Sequence, residues 1–268
     1  MKAERESLCQ RDPHFAMLYT GTKARMATTD ELIASMDKAE VAHSVVLGFC
    51  WRSRELCYEH NSYILESIAR FPKRLTGFCI VPVHPVEPAI EEIERCARSG
   101  ARGIGELRPD MPIFDFTVEQ VAATFVAALQ KNKLILLTHV SEPVGHQYPG
   151  KGAVTPDKLY RFIILYPKLT IVCSHWGGGL PFYALMPEVK KALENVYFDT
   201  AASPFLYKPQ IYRQVADIVG ADKILFGTDY PLMPQSRVLK EIQSLSLPED
   251  TRNLILSGNA QRILDIKE

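Results

Sequence analysis

The 268-residue sequence has no surplus of either charge, since Lys and Arg number 31 and Asp and Glu also number 31. A formal charge of zero sets up no long-range field to gather nucleic acid or an anionic lipid surface, so the expected partner is a small molecule or another protein. No apolar run approaches the length that spans a bilayer, and the N-terminal MKAERESLCQRD has charges with no apolar stretch behind them. A soluble, cytoplasmic protein is the expectation. CxxC pairs are absent, and the six cysteines (Cys9, Cys50, Cys57, Cys79, Cys96, Cys173) are scattered through a chain large enough to need no disulfide staples. Free, mostly buried thiols follow. Phosphate-cradling loops are missing too: GIGELR lacks the third glycine of GxGxxG, and YPGKG lacks the first half of a P-loop. Nucleotide binding is therefore disfavoured.

What is present is enough apolar material, 47% hydrophobic against 23% charged, to bury one substantial core in a single domain over residues 1–268. Short β-rich runs alternate with longer helical patterns. VAHSVVLGF, RLTGFCIVP, ARGIGELRP, LILLTHV, LTIVCSH, VYFDTA and KILFGTD are the strand candidates. Between them, Thr28 with Glu31 makes a capping box, Pro88 opens a helix that Gly100 ends, Thr117 with Gln120 repeats the box, and Thr155-Pro156 starts PDKLYRFIILY. Near-continuous apolar strands imply burial on both faces, and strand–helix alternation implies a parallel sheet with helical crossovers.

Two α/β architectures meet that description, a doubly wound sheet and a TIM-type (β/α)8 barrel of about 250 residues. Their sites differ: a doubly wound sheet concentrates chemistry at one switch point, whereas a barrel distributes it over the C-terminal ends of many strands. Here five apolar runs close on Glu106, His139, His175, Asp199 and Asp229. The barrel is the expected fold. Two histidines and an aspartate at strand ends suit a divalent transition metal, zinc first and manganese second, with one further group free to move a proton. Taken one at a time these residues have ordinary readings: Asp229 before Tyr230-Pro231 as a turn cap, and His139 before Val-Ser-Glu-Pro as a partner for a loop carbonyl. Their joint placement favours chemistry, and the glycines after His175 in SHWGGG are expected to leave room for substrate.

LTHVSEP, VCSHWGGGLPF, YFDTAA and ILFGTDYPL followed by GNAQRIL resemble the second amidohydrolase family, the branch of metal-dependent hydrolases that includes aminocarboxymuconate-semialdehyde decarboxylase and related aromatic-acid decarboxylases. The resemblance runs from about Thr28 to the C-terminus. It implies His139 and Asp229 as ligands of one divalent ion, Glu106 where some relatives place a further ligand, and His175 as the group that activates water or handles a proton together with Asp229. It implies a hydrolase of C–N or C–O bonds in amides and lactones, or a non-oxidative decarboxylase of a small carboxylic acid. Family members open on a strand carrying His-x-His, which supplies two ligands, and no His-x-His occurs in this sequence. The seven strand candidates agree, because a closed barrel has eight and the first is the one lacking. The expectation is therefore a barrel missing or incomplete in its first strand, with an upstream segment carrying the ligands preferred over a shortened member with a degraded site.

Two other functions stay open on these residues. A metal-independent lactonase would use Asp229 as base with His139 or His175 polarising the carbonyl. A catalytically inactive barrel, its sheet edges unpaired, would act as a homodimer or scaffold. Outside the strand ends, His146, Trp51 and Arg52 are candidate substrate contacts and Lys151 a weaker one, since loops leaving the catalytic face commonly meet substrate. Asp199 is read as structural, orienting a neighbouring histidine. His14, His43, His60 and His84 are read as surface, core or loop residues.

Overall fold

The computed structural model describes residues 4–81, 86–108 and 119–266. Its seven strands are β1 (Ser44–Leu47), β2 (Leu75–Cys79), β3 (Gly103–Leu107), β4 (Ile135–Thr138), β5 (Ile171–Cys173), β6 (Val196–Asp199) and β7 (Ile224–Leu225). Every predicted run holds one of them. Ahead of β1 come α1 (Arg5–Arg11), α2 (Pro13–Tyr19) and α3 (Thr29–Lys38). The crossovers to β2, β3, β4 and β5 are α4 (Arg54–Arg70), α5 (Val86–Arg98), α6 (Glu119–Lys131) and α7 (Pro156–Leu165). Then α8 (Pro187–Ala192) leads to β6, and α9 (Ser203–Leu206) and α10 (Ile211–Val219) lead to β7. After β7 follow α11 (Gln235–Ser244), α12 (Glu249–Asn253) and α13 (Asn259–Leu264). Among the described residues no helix is long and apolar enough to cross a membrane.

All six strand pairs are parallel and the order is sequential, β1 to β7. Sequential parallel pairing with helical crossovers is the winding of a TIM-type barrel. Among the described residues β1 and β7 do not pair, so the sheet is a curled seven-stranded half-barrel with a seam between its edges. That is the expected barrel lacking one strand.

Alternation along each strand divides the apolar residues between two clusters. The outer face supplies Leu75 and Cys79, Ile104, Leu136, Ile171 and Cys173, Val196 and Phe198, all packed with helix residues such as Leu56, Ile93, Phe125 and Phe162. The inner face supplies Phe78, Ile135, Leu137, Val172, Tyr197 and Leu225, and α13 inserts Leu264 among them. Both faces are thus dry through most of their length, as the near-continuous apolar runs require.

Local signals start the helices where the sequence places them. Ahead of α3 the capping box is complete: the Glu31 backbone N–H donates to Thr28 Oγ1 at 3.3 Å and the Thr28 backbone N–H to Glu31 Oε2 at 2.8 Å. Such a cap contributes about 1 kcal/mol. Pro156 opens α7, although the Thr155 hydroxyl turns to Asp157 instead of capping the helix. α5 begins two residues before Pro88. Thr117 lies outside the described residues, as does His84.

Candidate active site

Continuing the inner-face alternation past the ends of the strands brings the polar residues together. Leu137 faces inward, so His139 does; Tyr197 faces inward, so Asp199 does. Strict alternation would send Glu106 outward beside Ile104. A register shift between Ile104 and Leu107 breaks the β3–β4 ladder there and turns Glu106 to the inner side. Only glycine fits at 105, because a Cβ would stand 2.4 Å from the Leu137 carbonyl.

Glu106 Oε1 lies 2.9 Å from His139 Nδ1 and 3.5 Å from His175 Nε2. The two imidazoles meet edge to face with centroids 5.0 Å apart. Each ring is held from its far side. Ser141 Oγ is 3.0 Å from His139 Nε2 and itself accepts from the Gly152 backbone N–H at 2.8 Å. His175 Nδ1 is 3.2 Å from the Ala201 carbonyl, and Asp199 Oδ1 accepts from the backbone N–H groups of His175 at 2.9 Å and Ala201 at 3.0 Å. Asp199 thereby fixes the backbone from which the His175 ring projects.

The turn after β5 explains HWGGG. His175, Trp176, Gly177, Gly178 and Gly179 all have φ between 56° and 93°, a short left-handed coil. Trp176 is anchored in the core by an indole N–H to Ser203 Oγ and an edge contact with Tyr212. Gly177 and Gly178 do not leave room for substrate, contrary to expectation: a Cβ on Gly177 would stand 2.9 Å from the Phe198 ring and one on Gly178 2.6 Å from the Ser141 carbonyl, so the space is filled by that ring and by the loop that carries the Ser141 prop, whereas at Gly179 a Cβ would meet only ordinary contacts. Left-handed backbone at a non-glycine residue costs roughly 1–2 kcal/mol and concentrates at functional sites. Asp229, with φ 59°, shares it.

Glu106, His139 and His175 each offer one ligand atom, and the three atoms lie within 4.8 Å of one another. One carboxylate oxygen and two imidazole nitrogens form a mixed O/N donor set that fits zinc or manganese. Asp229 lies within electrostatic reach of all three residues. Its side chain is exposed, although protein surrounds it on most sides, so it sits in a recess open on one side. Crowding pushes its carboxyl up from the ordinary range; the His175 charge opposes and the Glu106 charge adds, and the open side of the cleft tempers the effect.

Glu106 and His175 are perturbed in opposite directions, each by the other. Burial alone would raise Glu106, but hydrogen bonds and charge from His139 and His175 hold it well below the usual carboxylate range. Burial would lower His175, and the Glu106 hydrogen bond and charge overcome this and raise it to about 10. A raised histidine stabilises the fold fully below its unfolded value near 6.5 and loses that contribution as pH rises through 10; a depressed carboxylate stabilises above its unfolded value near 4.5 and loses that contribution in acid. The melting temperature of metal-free protein is therefore expected to fall between pH 6.5 and 10. A calorimetric series would show it, and in Glu106→Gln the fall should flatten; an unchanged slope in that variant would refute the pairing.

The remaining candidates lie elsewhere. Trp51 is 2% exposed, packed against Phe15 and Phe49, with its indole N–H donated to His60 Nδ1 at 2.9 Å; it belongs to the core and not to a pocket wall. The Arg52 side chain is exposed while its backbone N–H binds Asp12 at 2.7 Å. His146 is exposed beside Tyr148, and Lys151 folds back onto the carbonyls of Val144 and His146. The sequence reading passed over Tyr19, whose phenol the carboxylates of Asp229 and Glu106 both influence. Its only sequence signal is the i,i+4 aromatic pair Phe15/Tyr19.

The family model described as amidohydrolase matches residues 10–266. A gamma-resorcylate decarboxylase of Polaromonas sp. is 25% identical over 258 residues, covering 80% of this chain and 78% of its own. A 6-methylsalicylic acid decarboxylase of Penicillium expansum is 28% identical over 167 residues, covering 50% of this chain and 51% of its own. Among solved structures, 2,6-dihydroxybenzoate decarboxylase complexed with 2,6-dihydroxybenzoate matches with a TM-score of 0.75 at 18% identity, over 99% of this chain and 96% of that one. Dihydroxybenzoic acid decarboxylase of Polaromonas sp. JS666, with bound manganese and 2-nitroresorcinol, gives 0.73 at 20% identity, over 99% and 94%. At those identities the structures speak for the fold. With the family model spanning nearly the whole sequence, this chain belongs to the amidohydrolase family.

Proposed function

We propose that this protein is a metal-dependent, non-oxidative decarboxylase of a small aromatic carboxylic acid. The observation that carries the reading is the convergence of Glu106, His139 and His175 at the strand ends, facing a cleft-exposed Asp229. Glu106, His139 and His175 would hold the divalent ion, which when bound supplies positive charge against the substrate's carboxylate. Manganese in the Polaromonas structure supports a divalent ion, and the donor set accommodates zinc equally.

The chain's own residues then divide the work. Ser141 and Asp199 orient His139 and His175 from behind. Asp229, accessible to a ligand in the cleft, delivers a proton to the ring carbon that bears the carboxylate. The bond from that carbon to the carboxylate breaks, its electron pair returns to the ring, and carbon dioxide leaves. One proton enters and one CO2 departs, so no oxidant or reductant is needed. The same groups are chemically able to direct water at an amide or lactone; the decarboxylase relatives at 25% and 28% identity support carbon–carbon cleavage over hydrolysis. Six free cysteines support a reducing, cytoplasmic setting.

Purified protein supplemented with manganese or zinc is expected to release CO2 from 2,6-dihydroxybenzoate or 6-methylsalicylate, with the decarboxylated phenol seen by chromatography. Hydrolysis of amide or lactone panels with no CO2 from either acid would overturn the reading.

A further inference from the structure

The N-terminal helices take no part in the site described so far, yet α2 ends on an aromatic residue within electrostatic reach of Asp229 and Glu106. Both ends of α2 are pinned. Asp12 accepts the backbone N–H groups of His14 and Phe15 at 2.9 and 3.0 Å through Oδ1, and that of Arg52 at 2.7 Å through Oδ2, tying the helix start to the loop after β1. At the other end Arg5 donates to the Tyr19 carbonyl at 2.7 Å and to the Gly21 carbonyl. The Tyr19 ring stacks on Phe15, centroids 4.3 Å apart and planes 12° from parallel, and meets Phe49 edge-on at 5.9 Å. Phe49 stands just past the C-terminal end of β1, where the Gly48 backbone N–H lies 3.2 Å from the Gly105 carbonyl, one residue from Glu106. Tyr19 is half-buried, and no group among the described residues hydrogen-bonds its hydroxyl.

We propose that Tyr19 is a substrate-contacting residue, its hydroxyl donating to the carboxylate of the aromatic acid while Phe49 lines the same side of the cleft; this rests on the aromatic-acid reading above. The chemistry of the cleft calls for such a donor. Glu106 and Asp229 already place two acidic side chains there, and an anionic ligand needs donors that add no further negative charge. Burial, then the charges of Asp229 and Glu106, push the Tyr19 phenol up to about 12, so it stays a neutral O–H donor throughout the working range. Sequence distance hid it, since Tyr19 precedes every strand.

The test is Tyr19→Phe, which keeps the stacked ring and removes one oxygen. Dissociation constants for 2,6-dihydroxybenzoate on metal-loaded protein, by calorimetry, are expected to rise about 10- to 100-fold, the size of one lost hydrogen bond to a charged acceptor. Metal content and melting temperature should stay as in the parent protein. A constant within twofold overturns the inference, and so does a loss accompanied by lower metal content or melting temperature, which marks a structural role. If the parent binds the acid without releasing CO2, the decarboxylase reading fails while the ratio of constants still decides Tyr19. If the parent neither binds nor decarboxylates it, both fall.

Discussion

Replacing Glu106 by glutamine is expected to strip the protein of its divalent ion and lower kcat/KM for the aromatic acid by about 1,000-fold or more. The geometry gives the reason. Glu106 Oε1 is the anionic oxygen on which His139 Nδ1 and His175 Nε2 converge, so the amide removes the charge around which the donor set is organised. A neutral amide is a poor ligand beside two neutral imidazoles, and losing several kcal/mol of charge stabilisation in the transition state corresponds to a thousandfold or larger loss in rate. Elemental mass spectrometry after manganese loading and desalting reads the first effect, and steady-state kinetics the second. In metal-free protein the same change should bring the His175 titration, followed by NMR, down from about 10 toward the ordinary histidine range. Full metal occupancy in Glu106→Gln would remove Glu106 from the ligand set.

Asp229→Asn separates two roles that the family resemblance merges. Asp229 stands outside the trio whose ligand atoms lie within 4.8 Å, and it is open to the cleft. If its task is proton delivery, the variant keeps its metal, binds the acid about as well because the amide is as neutral as the protonated carboxyl, and loses turnover by about 100- to 10,000-fold, the span of general acid–base contributions. If metal leaves with the carboxylate, Asp229 is a ligand and the proton must come from elsewhere, with His175 next in place.

β2 to β7 were legible because each is a short apolar run buried on two faces, a pattern helices of this length do not share, whereas β1, half-buried to exposed beside the seam, was legible from its β-branched residues alone. His139 and Asp199 were legible by continuation, since a strand's period of two fixes where the next side chain points. Glu106 was harder: its inward turn depends on a register break between β3 and β4, which belongs to the pair of strands and leaves no mark in either sequence alone. Trp51 failed for the opposite reason. It follows a strand end as a pocket residue would, but its partner His60, nine positions on, draws it into the core. The glycines after His175 signalled an unusual backbone correctly, and only the neighbours of Gly177 and Gly178 show that these two admit the Phe198 ring and the Ser141 carbonyl in place of a ligand.

The seam between β1 and β7 gives the molecule two mechanical parts. Glu106, His139 and His175 stand on or just past β3, β4 and β5, consecutive staves at the middle of the sheet, paired on both sides apart from the register shift at Glu106. Asp229 follows β7 and Phe49 follows β1, at the two edges of the seam, which α3 bridges through Ser35 Oγ to Gln235 Oε1 at 2.7 Å and through the Tyr230 hydroxyl to the Glu31 carbonyl at 3.3 Å. The place of Asp229 is thus set by helix contacts across the seam, whereas the place of the trio is set by strand pairing, so on the proposed reading loosening the Ser35–Gln235 bridge is expected to alter turnover more than metal affinity.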